Sequence, residues 1–397
     1  MITDKLSKQE INIANKKFKH LELHENKMFH YDSGLNQFTQ EEADKLNEEY
    51  YANEESFIPQ ILEDGYIEFP ILFDNGPEPI WSSCYLPPNF IPSCTPGFEE
   101  KTGLRYNIYI PSYKRAGIAL TNKMLDEFGI ENYYFCVDPS QYPEYKAAYG
   151  IDKVIIRDPS FKSEDKLDLA NSVISPDYLH GASGIFNSLL YISKSLGEKA
   201  YFTMDDDIMG LGIKARKGDG VVVGEKYDKD NYYRCSKLTP EVGYDFKANL
   251  NDMMILFDKM RNKSFMSTEK YGLVFALPIS VKLGTRSYSF YLTDNSNQRD
   301  HLGQQNNDII TSLEMSKYGY VNAIIEGIPQ YNSADTQVLA GGATDVYKKF
   351  GTLDKAKVLV QAQPNYSKVS VVYSRVHHFV DFNQYNKQRL LGAVKEK

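Results

Sequence analysis

The chain has 397 residues, of which 42% are hydrophobic and 25% charged, a balance typical of a folded globular protein of roughly two or three domains. Its formal net charge of −8 excludes a uniformly basic nucleic-acid coat. The first 100 residues hold 7 Lys and Arg against 19 Asp and Glu, a net of −12, so the remainder carries +4. Four cysteines without CxxC spacing exclude a disulfide framework and a zinc knuckle, and they favour a reducing compartment.

The N-terminal region, residues 1–103, is predicted to be an acidic domain with helices and a proline-rich part. An amphipathic helix is expected over 4–21 and an acidic helix over 39–55. Seven of the 17 prolines lie within 70–97, and because proline removes a backbone donor we expect an irregular strap there. The chain shows no signal-peptide pattern and no apolar run of the roughly 18 residues that span a bilayer, so we expect a cytoplasmic protein without membrane contact.

From about Leu104 onward, short apolar runs alternate with helical segments, which is typical of βαβ units around a mixed, mainly parallel sheet. We therefore predict an α/β core over 104–330, flanked by helices, and a basic C-terminal extension over 331–397. The predicted strands of the core are Tyr106–Ile110, Tyr133–Val137, Lys153–Ile156 and Lys199–Met204, and the helices between them are 116–128, 141–149 and 183–196. The later predicted elements are a hairpin of Gly218–Val223 with Tyr232–Ser236, a helix at 240–261, an apolar run Leu273–Leu277, a helix at 306–318, a strand at 320–325 and a β-like run Lys368–Tyr373.

The strongest candidate for chemistry is the run Tyr201–Asp207, in which a buried strand leads into three consecutive aspartates. Because side chains alternate along an extended chain, Asp205 and Asp207 point to one side and Asp206 to the other. Two carboxylates about 4 Å apart repel by about 4 kcal/mol at an effective dielectric of about 20. A divalent cation removes that cost, and Mg²⁺ is typically held by one or two carboxylates plus substrate phosphates. The run therefore predicts a metal site at the strand end, where open α/β sheets bind ligands; a solvated acidic turn is the alternative.

The ends of the first two predicted strands carry further candidates. The first strand ends at Pro111 and leads into Ser112, Tyr113 and Arg115, groups that suit a nucleotide through backbone amides, stacking and phosphate pairing. An ordinary basic first turn is the alternative explanation. The second strand ends at Asp138, which suits a contact to a base or ribose or else a simple turn.

The helix that precedes the aspartates opens with the segment His180–Asn187. A glycine near a helix start, such as Gly184, lets a ligand approach the backbone closely. Asn187 lies one turn further and suits the same ligand. A plain loop and helix cap explains the segment equally well.

Three segments in this order, Ile110–Arg115, Gly184–Asn187 and Met204–Asp207, resemble the GT-A glycosyltransferases, and the resemblance covers about 104–325. It implies a Rossmann-like fold with a nucleotide-sugar, usually UDP-linked, over the first half of the sheet. It also implies a divalent metal, Mn²⁺ or Mg²⁺, held by Asp205 and Asp207 of the DxD motif. The candidate residues for binding the nucleotide-sugar are Pro111, Ser112, Tyr113, Arg115, Asp138, Gly184, Asn187, Asp205 and Asp206. Phe186 stands where many members of the family have an arginine.

Two later segments match weaker features of the same family. Gln305–Ile310 begins a predicted helix where many members place an acidic residue near the acceptor, so Asp308 is the candidate base for an inverting transfer. A helix acid stabilised by the macrodipole is the alternative. The segment Arg375–His378 lies where members often recruit a late histidine to the metal. Adjacent histidines in a strand point to opposite sides, so we choose His378 as the ligand, with an ordinary surface histidine as the alternative.

The segments IPSYKRAG and YFTMDDDI are similar in sequence to segments of phage-type glycosyltransferases that modify hydroxymethylated DNA bases. This resemblance implies DNA as the preferred acceptor, and the tail from residue 338, with 10 basic and 4 acidic residues, suits a duplex partner. A solvated lysine-rich face explains the tail as well, which leaves a polysaccharide, protein or small-molecule acceptor open. A nucleotidyltransferase, for which the chain lacks a Gly-rich triphosphate loop, and a non-catalytic nucleic-acid-binding protein also stay open.

Overall fold

The computed structural model of the chain describes residues 60–63, 65–73, 80–157, 181–216, 233–237, 245–260, 263–271, 281–296, 301, 305–317, 320–332, 353, 355–360, 363, 365–372 and 375–382. Four predicted elements lie outside these residues: the helices at 4–21 and 39–55 and the runs Gly218–Val223 and Leu273–Leu277.

The first half of the described chain alternates strands and helices as the sequence predicts. Its elements are β1 (Gln60–Ile61), β2 (Ile67–Phe73), β3 (Ile80–Leu86), α1 (Phe98–Thr102), β4 (Ile108–Pro111), α2 (Thr121–Glu127), β5 (Tyr133–Val137), α3 (Tyr142–Tyr149), β6 (Val154–Ile156), α4 (Gly181–Ser195) and β7 (Ala200–Met204). The second half contains β8 (Ile208–Arg216), β9 (Tyr233–Lys237), α5 (Phe246–Lys259), β10 (Lys263–Lys270), β11 (Val281–Leu283), β12 (Phe290–Asp294), α6 (Asn307–Lys317), β13 (Val321–Asn332), β14 (Ser367–Val372) and β15 (Arg375–Val380).

Thirteen of the described strands form one mixed sheet in the order β1-β2-β3-β6-β5-β4-β7-β12-β10-β13-β8-β9, with β11 paired to β13. At its centre β6, β5, β4 and β7 run parallel, as the βαβ pattern predicts. Antiparallel strands extend this centre on both sides, and β10 with β13 forms a further parallel pair. The predicted mixed α/β sheet is confirmed. The strand β7, which leads into the three aspartates, lies near its middle.

The central strands are buried on both faces because helices cover both sides of the sheet. Ile108 and Phe135 pack in one core with residues of α2, α3 and α5. Tyr109 and Tyr134, each the neighbour of one of those residues along its strand, pack in a second core with α4. Alternate side chains point to opposite faces, so a strand covered on both sides needs apolar side chains at successive positions. This is why the run Tyr133–Val137 is recognisable in the sequence with the bounds of β5.

The proline-rich segment is more regular than we predicted. β2 and β3 pair antiparallel over seven residues each, and β3 joins the central sheet through Tyr85 opposite Ile156. The expectation of an irregular strap over 70–97 is therefore wrong for both strands. Pro70 is tolerated in β2 because the pairing with β1 ends at Glu68, so only one neighbouring strand flanks the proline.

The C-terminal strands form a separate two-stranded sheet. β14 corresponds to the predicted run Lys368–Tyr373, and it pairs antiparallel with β15. Val369 and Val376 of this hairpin pack against Ala356 and Val360 of the helical segment 355–360. None of the described helices combines the length and the apolar character that a bilayer crossing requires.

A buried carboxyl group joins the segment after β3 to the centre of the sheet. Glu198 is 3% exposed and accepts four hydrogen bonds, from the backbone amide of Ser93 (2.8 Å) and from the side chains of Asn107 (2.5 Å), Tyr109 (2.8 Å) and Ser193 (2.7 Å). Its acceptor atoms satisfy polar groups that would otherwise be buried without partners.

Glu198→Ala is expected to lower the free energy of unfolding by about 3 kcal/mol, because a buried polar group left without a partner costs about 1–3 kcal/mol. Urea unfolding followed by circular dichroism measures the loss. Glu127→Ala, at the exposed end of α2, is the matched control and is expected to change stability by less than about 0.5 kcal/mol. Equal stability of the two variants would contradict the anchoring role.

Candidate active site

The three aspartates lie directly after the central strand β7. The backbone amide of Asp205 donates to the carbonyl of Ser289 (2.7 Å), which continues the antiparallel pairing of β7 with β12 beyond Met204. Asp206 and Asp207 are 5% and 6% exposed and form the turn into β8, while Asp205 is half-buried. Ser289 has a φ of 62°, an uncommon conformation for a residue other than glycine, and such strain clusters at functional sites.

Asp205 and Asp207 are carboxyl groups two positions apart that interact electrostatically. Burial and the neighbouring carboxylate of Asp207 raise the pKa of Asp205 to about 7. Oδ1 of Asp207 accepts a hydrogen bond from the amide of Asn332 at the end of β13 (3.1 Å). These are hard oxygen donors with excess negative charge, and the set fits Mg²⁺ or Mn²⁺, which binds one or two carboxylates and leaves other positions to phosphate and water.

Asp206 is held by the loop after β4. Its carboxylate forms an ion pair with the guanidinium of Arg115 and accepts a hydrogen bond from the hydroxyl of Ser112. The hydroxyl of Tyr145 lies 2.6 Å from Ser112 Oγ and accepts from the amide of Arg115 (3.0 Å). The carbonyl of Asp206 accepts from the amide of Leu120 (2.8 Å). Three residues predicted to bind the donor, Ser112, Arg115 and Asp206, are thus brought together and bonded to one another.

The other predicted residues of the β4 end lie beside this network. Pro111 ends β4 and is half-buried, and Tyr113 is half-buried with Nζ of Lys114 5.0 Å from its ring centroid. Lys114 has a φ of 55°, and its amide donates to the side chain of Gln141 (2.5 Å). The loop therefore has a fixed conformation that leaves Tyr113 partly accessible at the carboxyl end of β4.

Asp138 lies at the end of β5, next to that loop. Its Oδ1 accepts from the amide of Ser140 (2.9 Å) and its Oδ2 lies 2.8 Å from Nη2 of Arg157. Burial alone would raise the pKa of Asp138. The hydrogen bonds from Ser140 and the positive charge of Arg157 have the larger effect, so the pKa lies below its usual range. Arg157 is 1% exposed, and in the described part of the chain its Nε and Nη1 find no hydrogen-bond partner. A half-buried carboxylate and two unsatisfied donors thus meet at this strand end.

Gly184 and Asn187 lie in the first two turns of α4 and are buried. Nδ2 of Asn187 donates to the carbonyl of His301 (3.0 Å), and the amide of His301 donates to Oδ1 of Asn187 (2.6 Å). The imidazole of His301 lies against the ring of Phe186, with centroids 5.1 Å apart. Asn187 is therefore bonded to residue 301, which the sequence did not single out.

The burial of His301 predicts a loss of stability in acid. Burial lowers the pKa of His301 to about 3, against about 6.5 in an unfolded chain. As the pH falls below about 6.5 the unfolded chain binds a proton that the folded chain does not, so stability is lost toward pH 3, by about 2 kcal/mol between pH 6.5 and pH 5.

His301→Gln is therefore expected to lose less stability between pH 7 and pH 5 than the wild type, by about 2 kcal/mol. Urea unfolding at both pH values measures the difference. His377→Gln, at an exposed position of β15, is the control and keeps the wild-type dependence. The same acid dependence in His301→Gln would show that His301 is protonated in the folded chain.

Asp308 lies in the first turn of α6 and is half-buried. Its Oδ1 accepts a hydrogen bond from the amide of Ile309 (2.8 Å). Burial raises the pKa of Asp308, while the positive charges of Lys355 and Lys270 oppose the rise. Burial is the main reason why the pKa of the Tyr291 phenol is raised. The negative charges of Asp308 and Asp205 raise it further. Asp308 and Asp205 thus both act on one side chain of β12.

His378 lies apart from the paired aspartates. It is half-buried in β15, opposite Val369, and burial, helped by Lys355, His377 and Arg286, lowers its pKa to about 3. Among the described residues no three His, Cys, Asp or Glu side chains are grouped as metal ligands. The structure therefore does not bring His378 together with Asp205 and Asp207.

Four residues of this region were not predicted from the sequence: Arg157, Lys270, His301 and Asn332. Arg157, Lys270 and Asn332 each lie at or just after the end of a strand of the central sheet. The rule that singled out Asp138 applies to all three, but no strand was predicted at the position of β10, so it did not find Lys270. It did not find Asn332 because the predicted strand ends at 325, whereas β13 continues to Asn332.

No protein-family model matches the chain, and no curated protein sequence matches it. The fold is similar to that of glucosyl-3-phosphoglycerate synthase from Mycobacterium tuberculosis, in a crystal structure with Mg²⁺ and uridine diphosphate. The TM-score is 0.34 and the sequence identity 7%, and the match covers 70% of this chain and 86% of that chain. The assignment of the candidate active site therefore rests on the geometry of its side chains and not on this similarity.

Proposed function

We propose that the chain is a metal-dependent glycosyltransferase that moves a sugar from a nucleotide-sugar, a UDP-sugar, to a hydroxyl group. The observation that carries the proposal is the pair of carboxylates, Asp205 and Asp207, after the central strand β7. One of them raises the pKa of the other, so the pair is poised for a cation. It lies at the carboxyl end of a parallel sheet centre, where α/β proteins bind ligands.

The nucleotide of the donor is proposed to lie over the ends of β4 and β5. Tyr113 offers a partly accessible ring for stacking on the base, beside Pro111. Asp138 offers an acceptor to the edge of the base or to the ribose, and the buried Arg157 holds its carboxylate in place. Asp206, bonded to Arg115, fixes the turn that orients the metal-binding pair, so its role in donor binding is one of positioning.

Asp205 and Asp207 are the residues that would hold Mg²⁺ or Mn²⁺, and the bound ion would neutralise charge on the leaving diphosphate. Asn332 orients Asp207 by its hydrogen bond to Oδ1. The position of Ser289 fixes the backbone of Asp205. Such preorganised groups favour the charge that develops in the transition state because they need no reorganisation during the reaction.

Asp308 is proposed as the base of an inverting transfer. It takes the proton of the acceptor hydroxyl as that oxygen attacks the anomeric carbon and the bond to the diphosphate breaks. Its raised pKa suits proton transfer near neutral pH better than that of an ordinary aspartate does. The acceptor then lies between Asp308 and the donor sugar.

The preferred acceptor in this proposal is a hydroxymethylated base in DNA of phage type. The support for it is the sequence resemblance around Asp205 and the basic balance of the tail, with Lys and Arg exceeding Asp and Glu from residue 338. A polysaccharide, a protein and a small molecule are the alternative acceptors.

The test is thermal unfolding of the wild-type chain with UDP, GDP or ADP in the presence of Mn²⁺, followed by hydrolysis and transfer assays with UDP-sugars. A nucleotide at 100 times its dissociation constant stabilises the folded chain by about 2.7 kcal/mol. We expect that effect with UDP and manganese and its loss in excess chelator. A duplex with 5-hydroxymethylcytosine is expected to accept the sugar, and the unmodified duplex is the control. Stabilisation by no nucleotide, or pyrophosphate release from nucleoside triphosphates, would overturn the proposal.

A further inference from the structure

Two positively charged side chains flank one tyrosine beside the candidate base. Nζ of Lys270, at the end of β10, lies 5.1 Å from the ring centroid of Tyr288. Cζ of Arg286, in the connection between β11 and β12, lies 5.9 Å from the same centroid. Within the described part of the chain, neither Lys270 nor Arg286 forms an ion pair with a carboxylate. Two positive charges beside one ring repel each other, and a bound anion would reduce that repulsion.

Tyr288 fixes these cations against the start of α6. Its ring packs on an apolar cluster built from α6 and the helical segment 355–360, whose buried members are Ile309, Ile310, Leu313, Val358 and Leu359. Lys355 begins the second of these segments, and its carbonyl accepts a hydrogen bond from Nδ2 of Asn306 (2.7 Å), two residues before Asp308. The three cations Lys270, Arg286 and Lys355 are called the basic cluster below.

Members of the basic cluster act electrostatically on Asp308 and on His378. Lys355 and Lys270 oppose the rise that burial causes in the pKa of Asp308. Lys355 and Arg286 both contribute, after burial, to the low pKa of His378. Three separate segments of the chain therefore contribute positive charge around Asp308 and His378.

The anions near the cluster have other partners or the roles already proposed. Glu269 acts on Arg286, but its Oε2 also lies 3.6 Å from Nζ of Lys282. Lys282 in turn lies 2.6 Å from Oε1 of the buried Glu326. Asp205 and Asp308 belong to the proposed metal site and base. Arg286 is exposed, and Lys270 and Lys355 are half-buried, so the cluster is open to a ligand.

We propose that the basic cluster of Lys270, Arg286 and Lys355 binds a phosphate group of the acceptor and thereby presents the acceptor hydroxyl to Asp308. The inference rests on the proposed function. Phosphate suits the cluster because charge-assisted hydrogen bonds to guanidinium and ammonium groups are strong, and arginine binds phosphate in a bidentate geometry. A phosphodiester of a DNA backbone and a phosphomonoester of a small acceptor share this chemistry.

The test is a calorimetric titration of the full chain with inorganic phosphate in the presence of EDTA. Without metal, Asp205 and Asp207 repel an anion, so phosphate does not report on the proposed diphosphate site. We expect the wild type to bind phosphate and Arg286→Gln and Lys355→Gln each to bind it about tenfold more weakly, which is about 1.4 kcal/mol. Lys146→Gln is the matched control, since Lys146 also lies over a tyrosine, 5.3 Å from the ring centroid of Tyr142. No binding by the wild type, or equal affinity in all four proteins, would overturn the inference.

Competition then identifies the source of the phosphate. The probes are 5-hydroxymethyl-2′-deoxycytidine, its 5′-monophosphate and a duplex that contains the same base. Displacement of phosphate by the duplex alone indicates a backbone phosphodiester, and displacement by the monophosphate indicates a small phosphorylated acceptor; either supports the inference. Displacement by the unphosphorylated nucleoside alone, or by no probe, contradicts it. Stabilisation by UDP with Mn²⁺, measured separately, shows whether the proposed function fails instead.

Discussion

Asp207→Asn is expected to lower sugar transfer and donor hydrolysis by about 10³-fold, because it removes one of the two charges that would hold the metal on the leaving diphosphate. The change keeps the shape of the side chain. The carboxamide oxygen of the new asparagine can still accept the hydrogen bond from Nδ2 of Asn332, which lies 3.1 Å from Oδ1 in the wild type. The fold is therefore expected to survive.

The prediction also concerns the free energy of unfolding of Asp207→Asn. Asp207 is one cause, after burial, of the raised pKa of Asp205, so the two carboxylates repel each other in the metal-free chain. Removing that repulsion is expected to leave the free energy of unfolding unchanged or to raise it slightly. A residue kept at the expense of stability is typical of a functional site rather than of a structural one.

The measurements are transfer from a UDP-sugar, thermal stabilisation by UDP with Mn²⁺, and urea unfolding without metal. We expect Asp207→Asn to lose sugar transfer and stabilisation by UDP with Mn²⁺, and to keep its stability in urea without metal. Asp252→Asn on α5, outside the site, is the matched control and is expected to behave as the wild type in all three. Full transfer activity of Asp207→Asn in excess chelator would remove the basis for the proposed metal site.

The sheet centre was predictable because its signals are local. The run Tyr133–Val137 is apolar at every position, and polar residues follow it at once, so the sequence alone places the strand and its end. The run Ala200–Met204 is apolar except at Thr203, and the aspartates follow it directly. Since parallel strands end at the same edge of a sheet, the candidate residues Ser112, Asp138 and Asp205 could be assigned to one edge before any geometry was known.

The partners of those residues were not predictable, because they depend on contacts between distant segments. Arg115 and Asp206 are 91 positions apart, and Asn187 and His301 are 114 apart. No local pattern indicates which of many polar side chains will meet across such distances. The strands around Pro70 were missed for a related reason, since a proline is tolerated only where no second strand needs its amide, and strand order decides that.

Arg115→Met is expected to lower the free energy of unfolding by about 3–5 kcal/mol, because it leaves the carboxylate of Asp206 buried without its counter-charge. Arg115 is 6% exposed and Asp206 5%, so solvent replaces little of the lost interaction. Burial opposes the charge on Arg115, but Asp206, followed by Asp207 and Asp205, raises its pKa. Arg115 is thus a counter-charge for all three aspartates, and its loss is expected to reduce sugar transfer as well.

The double variant Arg115→Met with Asp206→Asn separates the ion pair from the packing around it. With both charges removed, most of the loss is expected to be restored, since neutral replacement of a buried ion pair is often close to neutral for stability. Urea unfolding of the wild type, the two single variants and the double variant gives the coupling energy, which we expect to exceed about 2 kcal/mol. Lys146→Met on α3, a lysine at a half-buried position, controls for the loss of a positive charge elsewhere. Additive effects of the two single changes would show that Arg115 and Asp206 do not stabilise each other and that another contact holds the aspartate turn.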